Sequence, residues 1–171
     1  GRVLFYDVAL SANRTISCAS CHAQTHAFAD PAKLSVGFAG GHTRRNAMAV
    51  TDARFYRPGR FFWDERAATL EDQVLMPIQD HQEMNETLEN VVKKLRADEE
   101  SVQAFAQAFG SSEITPDRIA LALEQFLLTL VSQESRFDQA ARKVAELTES
   151  EKRGLQLFVT EFDPKRGLRG A

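Results

Sequence analysis

Both cysteines of the chain fall in one short stretch, TISCASCHAQTHAF, as Cys18 and Cys21, and His22 follows at once to complete the pattern C-x-x-C-H. No other feature limits the fold so tightly. Residues i, i+3 and i+4 of a helical turn lie on one face, so a single short turn presents both thiols and the imidazole together. Three kinds of site use such a turn. A structural zinc site needs four protein ligands, and no second cysteine pair stands elsewhere to complete one. A redox dithiol of this spacing belongs beside a βαβ pattern, and no strand alternation is visible along the chain. C-x-x-C-H is also the attachment signature of c-type haem, in which the thiols tether the group and the histidine becomes an axial iron ligand. The haem reading is preferred. Covalent attachment implies maturation outside the cytoplasm, so a periplasmic or otherwise exported protein is expected.

A haem must be wrapped, and the rest of the sequence reads as helices able to do it. In TPDRIALALEQFLLTLVS, Thr115 suits an N-cap and Pro116 the first helical position. Ile119, Ala122, Leu123, Phe126, Leu127 and Leu130 recur at three- and four-residue steps, which predicts one buried face. TESEKRGLQLF repeats the logic, with Thr148 and Glu151 as a capping box. ETLENVVKKLRAD and SRFDQAARKVA read as amphipathic helices as well. Between about Asp30 and Arg60 the chain is loop-like, with Pro31, Gly37, Gly40, Gly41, Pro58 and Gly59 and little periodicity. A loop that long is uncommon in a compact domain unless it wraps something. The expected class is all-α: a cytochrome c-like helical domain with a long loop around a covalently bound haem.

Charge and length limit the partners. The net charge of −3 argues against broad attraction to nucleic acid, and no apolar run approaches the roughly 20 residues that span a bilayer. The 171 residues open at Gly1 without an initiator methionine or signal peptide, so a processed or trimmed start is expected. GRVLF at Gly1–Phe5 returns as GLQLF at Gly154–Phe158. If this echo is a duplication, a second cysteine motif would begin at position 171, where the sequence stops.

What lies over the iron decides the chemistry. An electron carrier holds a second strong ligand, usually Met or His, whereas a peroxide-activating haem keeps that face open or openable. His26 is four residues from His22 and cannot reach across the ring; it reads as a surface or supporting residue. His42, His81 and the methionines Met48, Met76 and Met84 stay open as ligands. FFWDERAATLEDQVLMPIQDHQEM carries Trp63, Gln73 and Glu83 at ten-residue steps. A positioned carboxylate can take a proton from peroxide and return it to the leaving oxygen. An amide can hold peroxide without changing charge, and a tryptophan can carry an electron between redox centres.

Together, GRVLFYDVALSANRTISCASCHAQTHAFAD, SVGFAGGHTRRNAM, the W-D-x-R-A…Q…P…E-M run and LTESEKRGLQLF resemble the N-terminal half of the bacterial di-haem cytochrome c peroxidase family, which includes the MauG-type enzymes. The resemblance implies that Cys18 and Cys21 tether the N-terminal, peroxidatic haem and that His22 is its proximal ligand. Trp63 matches the tryptophan between the two haems. Gln73 and Glu83 match the distal glutamine and the acid–base glutamate, with Pro77 in the same wall. Asn46 matches the asparagine of a calcium site between the domains. In members that close the site at rest, a histidine follows S-x-G of the loop; here Phe38 stands at that place. Phenylalanine cannot ligate iron, which favours an open haem, with substitution by His42 as the other option.

The resemblance further implies two domains, 1–147 as the haem domain and 148–171 as the start of a second cytochrome c-like domain cut before its own motif. The implied activity is reduction of hydrogen peroxide to water, with electrons relayed from a second haem by a small cytochrome or copper protein. Alternatives are a MauG-like oxidase of a protein substrate and a plain electron-transfer cytochrome. A homodimer is expected on the family's habit alone.

Overall fold

The structure, a computed structural model, describes residues 1–160 and 162–169. It contains eight α-helices among these residues, in two compact units, Gly1–Val131 and Ser132–Ala171. In the first unit these are α1 (Arg2–Tyr6), α2 (Cys18–Cys21), α3 (Leu70–Gln79), α4 (Leu88–Arg96), α5 (Glu99–Phe109) and α6 (Pro116–Leu127).

The four longer helices of this unit start on a polar side chain that accepts a hydrogen bond from an otherwise unpaired amide of the first turn. Thr69 accepts from Asp72 N, Thr87 from Asn90 N, Asp98 from Ser101 N and Thr115 from Arg118 N. Each such cap stabilises its helix by about 1 kcal/mol. The capped helices then bury one stripe each. Leu70, Val74 and Ile78 of α3, Val91 and Leu95 of α4, Phe105 of α5 and Ile119, Leu123 and Leu127 of α6 form one core with Leu4 and Phe5 of α1. α6 is the hub, packed on α3 and α1, while α4 packs on α5. The periodicity of α6 is as expected for Ile119, Leu123 and Leu127, whereas Ala122 and Phe126 are only half-buried and Leu130 lies past the helix end. At the α1–α6 approach a Cβ on Gly1 would lie 1.8 Å from the Ala122 carbonyl oxygen, so only glycine permits that packing distance.

The segment before α3 is irregular, as its glycines and prolines suggested. Short 3-10 turns at Phe38–Gly40 and Ala53–Phe55 and isolated bridges Val36–His42 and Phe61–Ala67 are its regular features. A buried ion pair anchors the start of the chain to α4. Lys94 Nζ pairs with Glu86 and also donates to the carbonyls of Ala9 (3.2 Å) and Ser11 (2.8 Å). Glu86 also accepts from Thr87 N and Asn90 Nδ2. Burial alone would push the Glu86 carboxyl up, but these donors hold it below its ordinary value. Lys94→Met is therefore expected to lower the unfolding free energy by about 3–5 kcal/mol, because it strands a buried carboxylate. A denaturant titration with no shift would refute this. Because the folded-state value is depressed, the pair's contribution is present above the ordinary glutamate pKa and is lost as pH falls through the folded value.

The second unit holds α7 (Arg136–Ala141), α8 (Glu149–Val159) and a two-residue hairpin pairing Phe162–Asp163 with Leu168–Arg169. The Thr148–Glu151 capping box forms as expected: Thr148 N donates to Glu151 Oε2 (2.7 Å) and Glu151 N to Thr148 Oγ1 (3.3 Å).

Candidate functional site: a cleft over the cysteine motif

Ser17 and Ser20 make a capping box that starts α2, and the turn ends at once. His22 N still donates to Cys18 O (3.0 Å), but the His22 backbone has left helical geometry (φ −121°, ψ 70°). The histidine is thus released from the helix it follows. Its ring is held instead from behind: Nδ1 lies 3.2 Å from the Phe28 carbonyl oxygen. A carbonyl only accepts, so Nδ1 donates to it, and the Met48 backbone is a further partner of the ring. Burial lowers the imidazole pKa, which keeps the ring neutral. Phe28 adopts a left-handed backbone (φ 57°), rare for a bulky side chain; its ring sits edge-on to Phe5, centroids 6.0 Å apart.

Both cysteines are free, and burial pushes the Cys18 thiol up to about 12. Burial raises Cys21 as well, with the carboxylates of Glu83 and Asp30 adding to it. Reactive redox dithiols need lowered pKa values, so these protonated thiols do not suit dithiol exchange. Among the described residues no group of three His, Cys, Asp or Glu side chains is placed to hold a metal ion.

Cys18, Cys21 and His22 open onto one cleft of about 560 Å³, its mouth included, with Gln73, Pro77, Glu83 and Met84 also in its walls. Phe5, Ile16, Val50, Val74, Leu123 and Leu127 make the remainder largely apolar. Gln73 and Pro77 are one turn apart on α3. Proline has no N–H to donate to the carbonyl four residues back, so the Gln73 carbonyl loses its usual helical donor beside the cleft. Glu83 follows α3 in a tight turn, its N–H donating to Asp80 O (3.1 Å). The long loop grips that turn: Phe38 N donates to Gln82 O (3.1 Å) and Glu83 O (2.9 Å). A Cβ on Gly37 would lie 1.9 Å from Gln82 O, which explains the glycine of SVGF. Burial raises the Glu83 carboxyl, Asp80 adds to the effect and Arg66 partly offsets it.

The structure therefore gathers Cys18, Cys21, His22, Gln73 and Glu83, and separates the other two singled-out residues from them. Trp63 is 61% exposed and its Nε1 donates to the Asn46 backbone carbonyl (3.0 Å). Asn46 Nδ2 donates to the carbonyls of Ala32 (2.9 Å) and Lys33 (3.4 Å). These two form a surface pair outside the cleft. His26, His42 and His81 are exposed and none lines the cleft. Of the methionines left open as ligands, Met84, beside Glu83, is buried in the cleft wall. Sequence reasoning missed two participants: the Phe28 carbonyl that holds His22, and Arg66, whose charge acts on Glu83. The second was visible as the arginine of WDER, and the carbonyl left no trace in the sequence.

The family described as di-haem cytochrome c peroxidase matches residues 1–146. The methylamine utilization protein MauG of Methylophilus methylotrophus is 35% identical over 92% of this chain and 47% of its own length. The cytochrome c551 peroxidase of Pseudomonas aeruginosa is 35% identical over 93% of this chain and 46% of its own. A crystal structure of a MauG-like protein associated with microbial copper homeostasis superposes with a TM-score of 0.81 and 37% identity, covering 92% of this chain and 47% of that one. The chain thus spans between a third and a half of the length of the curated relatives it matches.

Proposed function

Because the chain belongs to the di-haem cytochrome c peroxidase family, we propose that its first unit is the peroxide-reducing half of a longer, exported, periplasmic enzyme that turns hydrogen peroxide into water. One observation carries the reading: the motif's thiols and imidazole share a cleft with a half-buried carboxylate and an amide. The residues present fit a c-type haem. Two free thiols stand three residues apart on one turn, and the histidine that follows them lines the same cleft with its Nδ1 held by the Phe28 carbonyl. Cys18 and Cys21 would tether the group and His22 would ligate its iron. When bound, the haem supplies the metal and the electrons that cleave the peroxide O–O bond.

The rest is the work of the chain. The Gln73 amide holds peroxide by hydrogen bonds without a change of charge. Glu83 takes a proton from peroxide and returns it to the leaving oxygen, and its raised pKa brings it toward the range where such transfer is efficient. Trp63, on the surface of the unit, passes electrons in from a second haem unit, which a small cytochrome or copper protein would reduce. The echo at Gly154 supports that second unit. Leu4 and Phe5 are buried (5% and 2% exposed) under α6, whereas their counterparts Leu157 and Phe158 in α8 are 60% and 78% exposed. With these matched positions and the family's two haem domains, we read residues 148–171 as opening the second haem domain and 1–147 as the first. Asn46 would give Oδ1 to a calcium ion. Calcium takes roughly six to eight oxygens, so the shell would be completed elsewhere in the longer protein and no step here depends on it. A homodimer is carried by the family alone.

The first test is the optical spectrum of the oxidised full-length protein, made in a host with c-haem maturation. High-spin ferric bands are expected, reporting an open site above His22. A purely low-spin spectrum would overturn the open site and mean a sixth ligand, in an electron carrier or a peroxidase closed at rest; Met84 lines the cleft and His42 is the other option. A second reading, oxidation of a protein substrate in the MauG manner, is favoured by Phe38 in place of a closing histidine. Peroxide-dependent loss of tyrosine or tryptophan from a partner protein, without small-donor turnover, would select it.

A further inference from the structure

Glu83 and Pro77 belong to two cavities. One is the apolar cleft over the cysteine motif. The other, beside the last turn of α3, is polar and is lined by Arg66, Met76, Pro77, Gln79, Asp80 and Glu83. Reducing peroxide to two waters takes up two protons from solvent each cycle besides the one Glu83 moves, and the largely apolar lining of the first cleft offers few groups to relay them. The polar cleft meets the same side chain from solvent.

Its charged lining is bonded to the loops around it. The Arg66 guanidinium lies 3.6 Å from the centroid of the Phe62 ring and donates to Asp64 (2.8 Å), which Arg45 holds in turn (2.9 Å). The loop beneath is closed by paired bonds between Phe61 and Ala67 (2.9 and 3.3 Å). Phe62 and Glu65 both take left-handed backbone conformations (φ 70° and 55°), which persist only where the surroundings over-determine them. Across the cleft, Asp80 Oδ1 is committed to Gln82 N (2.8 Å). Both charged groups thus have partners outside the cleft, Arg66 in Asp64 and the Phe62 ring and Asp80 in the Gln82 amide.

We propose that this polar cleft is the passage by which water, protons and hydrogen peroxide move between solvent and Glu83, and that Arg66 is a positioning residue that holds its mouth open. The inference rests on the role given to Glu83 above. It says nothing of the chemical step; it assigns the route.

A passage is crossed on entry and on exit. Narrowing it lowers association and dissociation rates by one common factor and leaves affinity unchanged. The probe is cyanide, followed optically by stopped flow on the full-length, haem-loaded protein, which needs no turnover. Gln79 is exposed, and its side chain makes one bond, from Nε2 to Leu75 O, so Gln79→Trp adds bulk to the cleft without removing a core residue. Both rates are expected to fall on the order of tenfold, the effect of about 1.4 kcal/mol added to a barrier, with the dissociation constant unchanged. Gln79→Cys, alkylated with a bulky maleimide after purification, repeats the block on protein that has already folded, with the unlabelled form as control. Unchanged rates in the labelled protein would overturn the proposal, and so would a changed dissociation constant, which would mean that the haem cleft itself had been altered. The Glu83 role is judged separately, by peroxide turnover of Glu83→Gln: a blocked passage with intact Glu83→Gln turnover would remove the carboxylate and keep the route.

Discussion

Glu83→Gln in the full-length protein is expected to lower peroxide turnover by roughly 10²–10⁴-fold, the range for a lost acid–base group. The substitution keeps volume and hydrogen-bonding capacity and removes only the titrating proton. The place of residue 83 does not depend on its carboxylate. Its N–H is bound by Asp80 O and its carbonyl receives Phe38 N, so the variant should fold and load as the parent does. The pH profile supplies a second readout. Burial raises the Glu83 carboxyl, with Asp80 adding and Arg66 partly offsetting, so the group ionises above the ordinary glutamate range. As a base it must be ionised, and turnover should therefore rise with pH through that raised value. In Glu83→Gln this acid limb should vanish along with most of the rate. Parent-like turnover and an unchanged acid limb would take Glu83 out of the mechanism.

The double substitution Cys18→Ser and Cys21→Ser is expected to remove one covalently bound haem from the full-length protein, read as the loss of one haem mass from the denatured chain. Both thiols are raised by burial, Cys18 to about 12, above the lowered values of reactive redox dithiols. Serine keeps the size of the side chain and cannot form a thioether. The Ser17–Ser20 capping box that starts α2 uses neither cysteine side chain, which leaves the turn itself intact. A denatured variant that keeps the parent's full haem mass, differing only by the two sulfur-to-oxygen exchanges, would place the attachment elsewhere and remove the premise of the whole site.

Much of this was legible in local sequence, and the reason is the range of the interactions. C-x-x-C-H needs one turn of chain to present its groups. Thr115 with Pro116, and Thr148 with Glu151, declare helix starts because a cap bonds an amide only two or three residues on. The stripe of α6 was visible for Ile119, Leu123 and Leu127 since helical neighbours lie three and four residues apart. The family resemblance, too, was carried by short runs in a fixed order.

Tertiary structure decided what those runs do together. Trp63, Gln73 and Glu83 are evenly spaced in the sequence, yet Gln73 and Glu83 reach the cleft and Trp63 stays on the surface. The first two are placed by the packing of α3 on α6 and by the grip of Phe38 on the turn after it. Trp63 stands instead on a loop closed upon itself between Phe61 and Ala67. Likewise no local pattern announces that the Phe28 carbonyl fixes His22, that Gly37 must let the loop reach Gln82, or that Glu83 borders a second cleft framed by Arg66. Each depends on pairs brought together by the collapse of the helical core. By itself the sequence determined which groups the chain carries and which turns present them. Only the fold determined which of those groups face one another, because that is set by packing between distant segments, and a local pattern does not encode it.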